Sequence, residues 1–239
     1  MSGFKMQYDH LWTSLEGAKN AHQKAVGGDF DTVGHLEFQL LKAAGLRQDS
    51  TVIDVGCGSG RLASQLAPWL HGKYIGTDII GSLLDHARAL CGRDDWQFVE
   101  TNGLGIPAGD GSADFVVFFS VFTHLTHEES WHYIKEAHRV LRVGGKLVCS
   151  FLEFAIYSHW TIFENSAGDR SPQKILNQFL SRDALNSFAH HAGFSVETIL
   201  DGDRANIVIE KELVWENGSR MSGVGSLGQS TCVMVKKGG

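Results

Sequence analysis

Short apolar β-branched runs alternate with segments of helical period through two thirds of the chain, as far as residue 154. TVIDVG (51 to 56) ends in glycines and is followed by the helix-like RLASQLAPWL, which predicts a first strand-turn-helix unit. YIGTDI (74 to 79) predicts a second strand, with Ser82 and Asp85 spaced as a helix start before LLDHARAL. WQFVET (96 to 101) predicts a third strand. The apolar run DFVVFFSVF (114 to 122) predicts a fourth, buried on both faces.

Thr126 and Glu129 have capping-box spacing before the helix HEESWHYIKEAHRVL, which Gly144 and Gly145 should end ahead of a fifth strand, GKLVCSFLEF (145 to 154). Residues 7 to 46 have a helical pattern with breaks expected at Gly27, Gly28 and Gly34. Toward the carboxyl end, Ser181 should open a helix that Gly193 closes. FSVETILDG and TCVMVKK then form a predicted antiparallel edge, separated by a polar, Gly-rich stretch from Asn217 to Gln229. Strands alternating with helices imply an α/β fold, a doubly wound and mostly parallel sheet.

Composition narrows the function. With 239 residues, 43% hydrophobic and 20% charged, the chain has an ordinary globular balance, and one domain over 1–239 is expected. The net charge of -6 offers no basic footprint for nucleic acid. Cys57, Cys91, Cys149 and Cys232 are far apart and form no C-x-x-C pair, which argues against a zinc ribbon or a disulfide framework. No stretch approaches the roughly 18 apolar residues of a membrane span, and no signal or transit pattern opens the chain, so a cytoplasmic location is expected.

The chemistry concentrates in Asp54-Val-Gly56-Cys-Gly58-Ser-Gly60, between the first strand and its helix. Glycines there permit a sharp turn and let a ligand reach the main chain. A dinucleotide fingerprint started at Gly56 would need Gly or Ala at position 61, where Arg61 stands. The second clue is Asp78 at the end of the second strand, placed as an acid that meets ribose hydroxyls.

With these residues the chain resembles the class I S-adenosylmethionine-dependent methyltransferases, whose nucleoside loop reads acid-x-Gly-x-Gly-x-Gly, over about residues 34 to 154. The resemblance implies the Rossmann-like methyltransferase fold with seven strands. It also implies S-adenosylmethionine as methyl donor, S-adenosylhomocysteine as product and no metal. By the same resemblance Asp54, Gly56, Gly58 and Gly60 would line the methionine part and Asp78 would bind the ribose. Ile79 would flank adenine, Asn102 and Gly103 would meet its edge, and the backbone of Ser120 and Val121 would lie beside the methionine. Asn102 stands where the family usually has Asp, and Val143 where a Pro commonly precedes the double glycine.

The predicted parts are a helical lid (1–46), a cofactor-binding core (47–154), a segment covering the acceptor (155–180), and a final helix with edge strands (181–239). Tyr8 and Trp12 read either as lid residues or as packing. The aromatics Tyr157, His159, Trp160 and Phe163 read either as a pocket for a ring or acyl chain or as packing onto the sheet. His124, just past the fourth strand, is the candidate general base. The Asn/Asp-Pro-Pro-aromatic tetrapeptide of some relatives is replaced by Ser120-Val-Phe-Thr123. The family resemblance and the acidic charge imply a small-molecule acceptor methylated at oxygen, such as a sugar, lipid or secondary metabolite. N-methylation, a non-catalytic scaffold and a nicotinamide oxidoreductase are the competing readings.

Overall fold

The structure is a computed structural model that describes residues 21–171, 174 and 176–238, so Tyr8 and Trp12 lie outside the described residues. Two helices, α1 (Ala21–Ala25) and α2 (Phe30–Ala43), precede the first strand. Then come β1 (Val52–Val55), α3 (Arg61–Leu66), β2 (Tyr74–Asp78), α4 (Gly81–Cys91), β3 (Gln97–Glu100) and β4 (Ala113–Phe118). A 3-10 turn (Phe122–His124) leads to α5 (His127–Val140), β5 (Leu141–Phe151), α6 (Tyr157–Gly168) and α7 (Arg182–Ala192). The chain continues through β6 (Phe194–Leu200), β7 (Ile207–Val214), β8 (Arg220–Gly225) and β9 (Ser230–Lys236).

Seven strands form one sheet in the order β3-β2-β1-β4-β5-β9-β6. The first five pair in parallel, and β9 pairs antiparallel with both β5 and β6. Because the strand order reverses between β1 and β4, a crevice opens beyond their carboxyl ends, which is where open α/β sheets bind ligands. One apolar core, with Leu36, Leu62, Phe115 and Val117, lies on the α2–α3 side. The other, with Ile53, Val116, Phe118 and Ile134, lies on the α5–α7 side. Alternate residues of β4 thus enter opposite cores, which is why its sequence is apolar throughout.

The two C-terminal strands pair antiparallel at the sheet edge as expected, with β9 inside and β6 outermost; five successive residues of β9 are buried, whereas β6 is mostly half-exposed. Four sequence expectations need correction. Gly34 does not break α2: a Cβ there would sit 2.6 Å from the Arg61 carbonyl oxygen, so this glycine serves close helix packing. Ser82 does not cap α4, which starts at Gly81, and the Ile80 amide donates instead to Asp78 Oδ1 at 3.0 Å. The helix before β5 ends at Val140, ahead of the double glycine, and Gly144 (φ 77°) lies inside β5. The run 114 to 122 is strand only to Phe118, since Ser120 turns the chain at φ 58°.

The capping box of Thr126 and Glu129 forms, Ser181 caps α7, and Gly193 closes it in the left-handed region. Unforeseen is the β7–β8 hairpin, which lies against α2 through Thr32 Oγ1 donating to the Val214 carbonyl and Gln39 and Lys42 donating to Glu210. Among the described residues no helix is long and apolar enough to cross a membrane.

Candidate functional site

The crevice encloses about 930 Å³, part of it open to solvent. Its floor is the turn after β1. The Gly56 and Cys57 amides both donate to the Thr77 carbonyl, at 2.7 and 2.9 Å, which folds the loop over the end of β2. Gly56 (φ 71°) and Gly58 (φ 55°) are in the left-handed region. A Cβ on Gly56 would lie 2.6 Å from Val121 Cγ2, and one on Gly58 would lie 2.3 Å from Val26 Cγ1. Both positions therefore need glycine twice over, for backbone angle and for space. Cys57 is buried and burial pushes its thiol well up, which makes it a packing residue and no nucleophile.

Three carboxylates meet this floor. Asp54 sits in the middle of β1, and its Oδ2 accepts the Tyr74 hydroxyl at 2.8 Å. Burial, outweighing that hydrogen bond, pushes its carboxyl up to about 7. Asp78 ends β2, with Oδ2 accepting the Gly58 amide at 2.9 Å and Oδ1 the Ile80 amide. Burial raises it as well, against the pull of those amides. Glu37, from α2, is buried and takes two hydrogen bonds from Arg61, whose Nη1 also donates to the Val26 and Gly27 carbonyls. Burial raises Glu37 more than the guanidinium lowers it.

The far wall comes from the end of β4. Ser120 is the only described non-glycine residue with positive φ. Val121 packs on Gly56, and the 3-10 turn carries His124 into the lining. The His124 Nδ1–H donates to the Leu176 carbonyl at 2.8 Å, because a carbonyl can only accept, and this makes Nε2 the unprotonated nitrogen of the neutral ring. Burial lowers the pKa of His124.

Of the residues singled out in the sequence, Asp54, Gly56, Gly58, Asp78, Ile79, Ser120, Val121 and His124 line the crevice. Gly60 instead occupies the N-cap of α3 at φ 92°, beneath the floor. Asn102 and Gly103 are exposed at the rim, while Thr101 of the same turn lines the crevice and the Tyr133 hydroxyl donates to the Gly103 carbonyl at 3.4 Å. Glu37, Arg61, Thr101 and Tyr133 were not among the sequence candidates. A Glu flanked by Leu36 and Phe38 in HLEFQLL, together with an Arg straight after the glycine loop, is the signal that points to the first two.

The aromatic segment after β5 behaves differently from the pocket walls. Its rings pack on one another, Phe154 stacked on Phe179 at 4.7 Å with Phe163 edge-on at 5.2 Å, and none lines the crevice. Tyr157 is 83% exposed. His159 is fully buried, its Nδ1 accepting the Glu153 amide and its Nε2–H donating to the Gly228 carbonyl, which is a structural role. What this segment does bring to the site is backbone: the Leu176 carbonyl on His124 and the Gln178 amide donating to the Thr123 carbonyl at 2.7 Å. Among the described residues no group of three or more His, Cys, Asp or Glu could hold a metal ion.

Comparison with known proteins gives a consistent picture. Residues 53–149 match a family described as a methyltransferase domain. The chain is 26% identical over 199 residues to the O-methyltransferase cnsE of Penicillium expansum, covering 80% of this chain and 69% of that protein. It is 32% identical over 163 residues to the malonyl-[acyl-carrier protein] O-methyltransferase of Hahella chejuensis, covering 66% of this chain but only 54% of that protein. In structure it is similar to the magnesium protoporphyrin IX methyltransferase of Synechocystis PCC 6803 with bound SAH, with a TM-score of 0.63 at 15% identity, covering 98% of this chain and 96% of that one.

Proposed function

We propose, from the premise that the chain belongs to the class I S-adenosylmethionine-dependent methyltransferases, that its crevice binds S-adenosylmethionine and that it methylates an oxygen of a small-molecule acceptor. The observation that carries this reading is the charge of the crevice. Asp54, Asp78 and Glu37 line it against the single guanidinium of Arg61, which Glu37 already neutralises. A diphosphate-bearing dinucleotide would meet like charge there, whereas a nucleoside carrying a sulfonium and an ammonium meets opposite charge. When bound, S-adenosylmethionine supplies a methyl group activated by a positively charged sulfur.

The chain's own residues then have distinct tasks. Asp78, with each oxygen fixed by one amide, keeps lone pairs to accept two ribose hydroxyls. Ile79 and Leu83 offer an apolar wall to a base. The bare main chain at Gly56 and Gly58 lets the methionine portion lie close to the backbone. Methyl transfer is an in-line displacement, so holding acceptor and donor aligned in a site that excludes water supplies much of the acceleration. His124 Nε2 takes the proton from the acceptor hydroxyl as the new bond forms. The names of the two O-methyltransferase relatives support oxygen as the atom methylated.

Binding is tested by melting curves. S-adenosylmethionine and S-adenosylhomocysteine at about 100 times their dissociation constants should each stabilise the protein by roughly 2.7 kcal/mol, a shift of about 5–11 °C. NAD and NADP should leave the melting point unmoved; the reverse pattern would sink the assignment.

The base is tested by His124→Gln. With labelled S-adenosylmethionine and an acceptor found by incubating the protein with a metabolite extract, kcat should fall by roughly 10²–10⁴-fold while S-adenosylhomocysteine affinity stays within about twofold. Because burial depresses the imidazole below its usual 6.5, the wild-type kcat should rise with pH only below 6.5 and be level above it. A variant with the same rate and the same acid limb would remove His124 from this role.

A further inference from the structure

Ser120 lies at the point where β4 meets the crevice, and a side chain at φ 58° is held against a cost of roughly 1–3 kcal/mol. What holds it is a closed circuit of three hydrogen bonds. The Ser120 amide donates to Ser150 Oγ at 2.7 Å, the Ser150 hydroxyl donates to Gln229 Oε1 at 2.7 Å, and Gln229 Nε2 donates back to Ser120 Oγ at 3.2 Å. Ser150 is buried in β5, and Gln229 comes from the corner immediately before β9. That corner is itself tied down, with the Gly228 amide donating to the Gly202 carbonyl and the Gly228 carbonyl accepting His159 Nε2–H.

The bend at Ser120 has a direct effect on the pocket. It directs Val121 back over Gly56, so near that a Cβ there would come within 2.6 Å of its methyl group. The Thr123 hydroxyl donates to the Ser120 carbonyl at 3.0 Å, which links the same bend to the 3-10 turn that bears His124. An extended Ser120 would carry Val121 off the glycine floor and reposition that turn.

We propose that Ser150 and Gln229 are positioning residues that hold Ser120 in its left-handed conformation and so set the wall of the crevice formed by Ser120 and Val121. This rests on reading the crevice as the nucleoside site. Neither residue lines it, and both act through Ser120.

The test is S-adenosylhomocysteine affinity by calorimetry, alongside the melting point without ligand. Gln229→Met keeps the volume and removes both hydrogen bonds, and it should weaken binding about tenfold, the equivalent of a left-handed residue left unsupported. Ser150→Ala should act in the same direction and covers the case in which the first variant does not fold. Glycine adopts the left-handed region freely, so adding Ser120→Gly to Gln229→Met should recover most of the lost affinity. A purely structural role predicts a lower melting point with unchanged affinity and no recovery by glycine, and that result would overturn the inference. Absence of binding by the wild-type protein would instead overturn the reading of the crevice, and the inference with it.

Discussion

Asp78→Ala is expected to cost the protein its nucleoside, with S-adenosylhomocysteine affinity falling by roughly 10²–10⁴-fold. Two hydrogen bonds from ribose hydroxyls to a charged acceptor, at roughly 1.5–3 kcal/mol each, account for that range. The same carboxylate accepts the Gly58 and Ile80 amides, so its removal also loosens the glycine floor and the entry to α4. Asp78→Asn separates the two effects. Its carbonyl oxygen can replace one of the amide contacts, so the fold should hold while affinity remains poor. Calorimetric titration of both variants is the measurement, and wild-type affinity in either would remove Asp78 as the ribose acceptor.

The second large effect concerns Asp54 and appears as stability against pH. Burial raises its folded pKa from 3.8 to about 7, so between these values the folded protein holds a proton that the unfolded chain has released. Unfolding free energy therefore falls as pH rises through that window, and the full cost is present above 7. At 1.36 kcal/mol per pH unit the cost is on the order of 4 kcal/mol at most. Asp54→Asn preserves an acceptor for the Tyr74 hydroxyl and removes the charge. It should melt several degrees above wild type at pH 8 and close to it below pH 4. Melting curves across pH check this, and parallel profiles for the two proteins would show that Asp54 is not the group responsible. A buried acid maintained at such a cost is the kind of local sacrifice expected where a cationic ligand is to bind.

How far the sequence reveals this site depends on how local each part is. The strand–glycine–helix unit at 51–66 was legible because three glycines after a β-branched run serve one kind of turn. Asp78 followed from its place at the next strand end, and His124 from its place after β4. Glu37 carries only the signal of an acid between Leu36 and Phe38; its place in the crevice lining depends on the packing of α2 on α3, where Gly34 lies against Arg61 and Glu37 accepts from the guanidinium. Gln229 was read as part of a polar loop, and its contact with Ser120 joins residues 109 apart in the chain, across β5 from the end of β4 to the start of β9. The β7–β8 hairpin escaped because a register shift between Ile209 and Leu213 breaks its alternation and Val208, Val214 and Val224 face outward. Asn102 went to the rim, where backbone bends after β3, rather than any propensity, decide which residue of the turn faces inward.

The place of β9 between β5 and β6 bears on how the chain is made. During synthesis β6 leaves the ribosome before β9 does, yet it has no partner in the sheet until β9 arrives. For that interval the open side of β5 and both sides of β6 are unpaired templates for other chains, the condition that invites misassembly. The nascent protein thus completes its sheet in a single late step, when one strand is laid against two waiting neighbours. The same step delivers Gln229 to Ser120, so that the crevice end of the sheet takes its final form only when the scaffold closes.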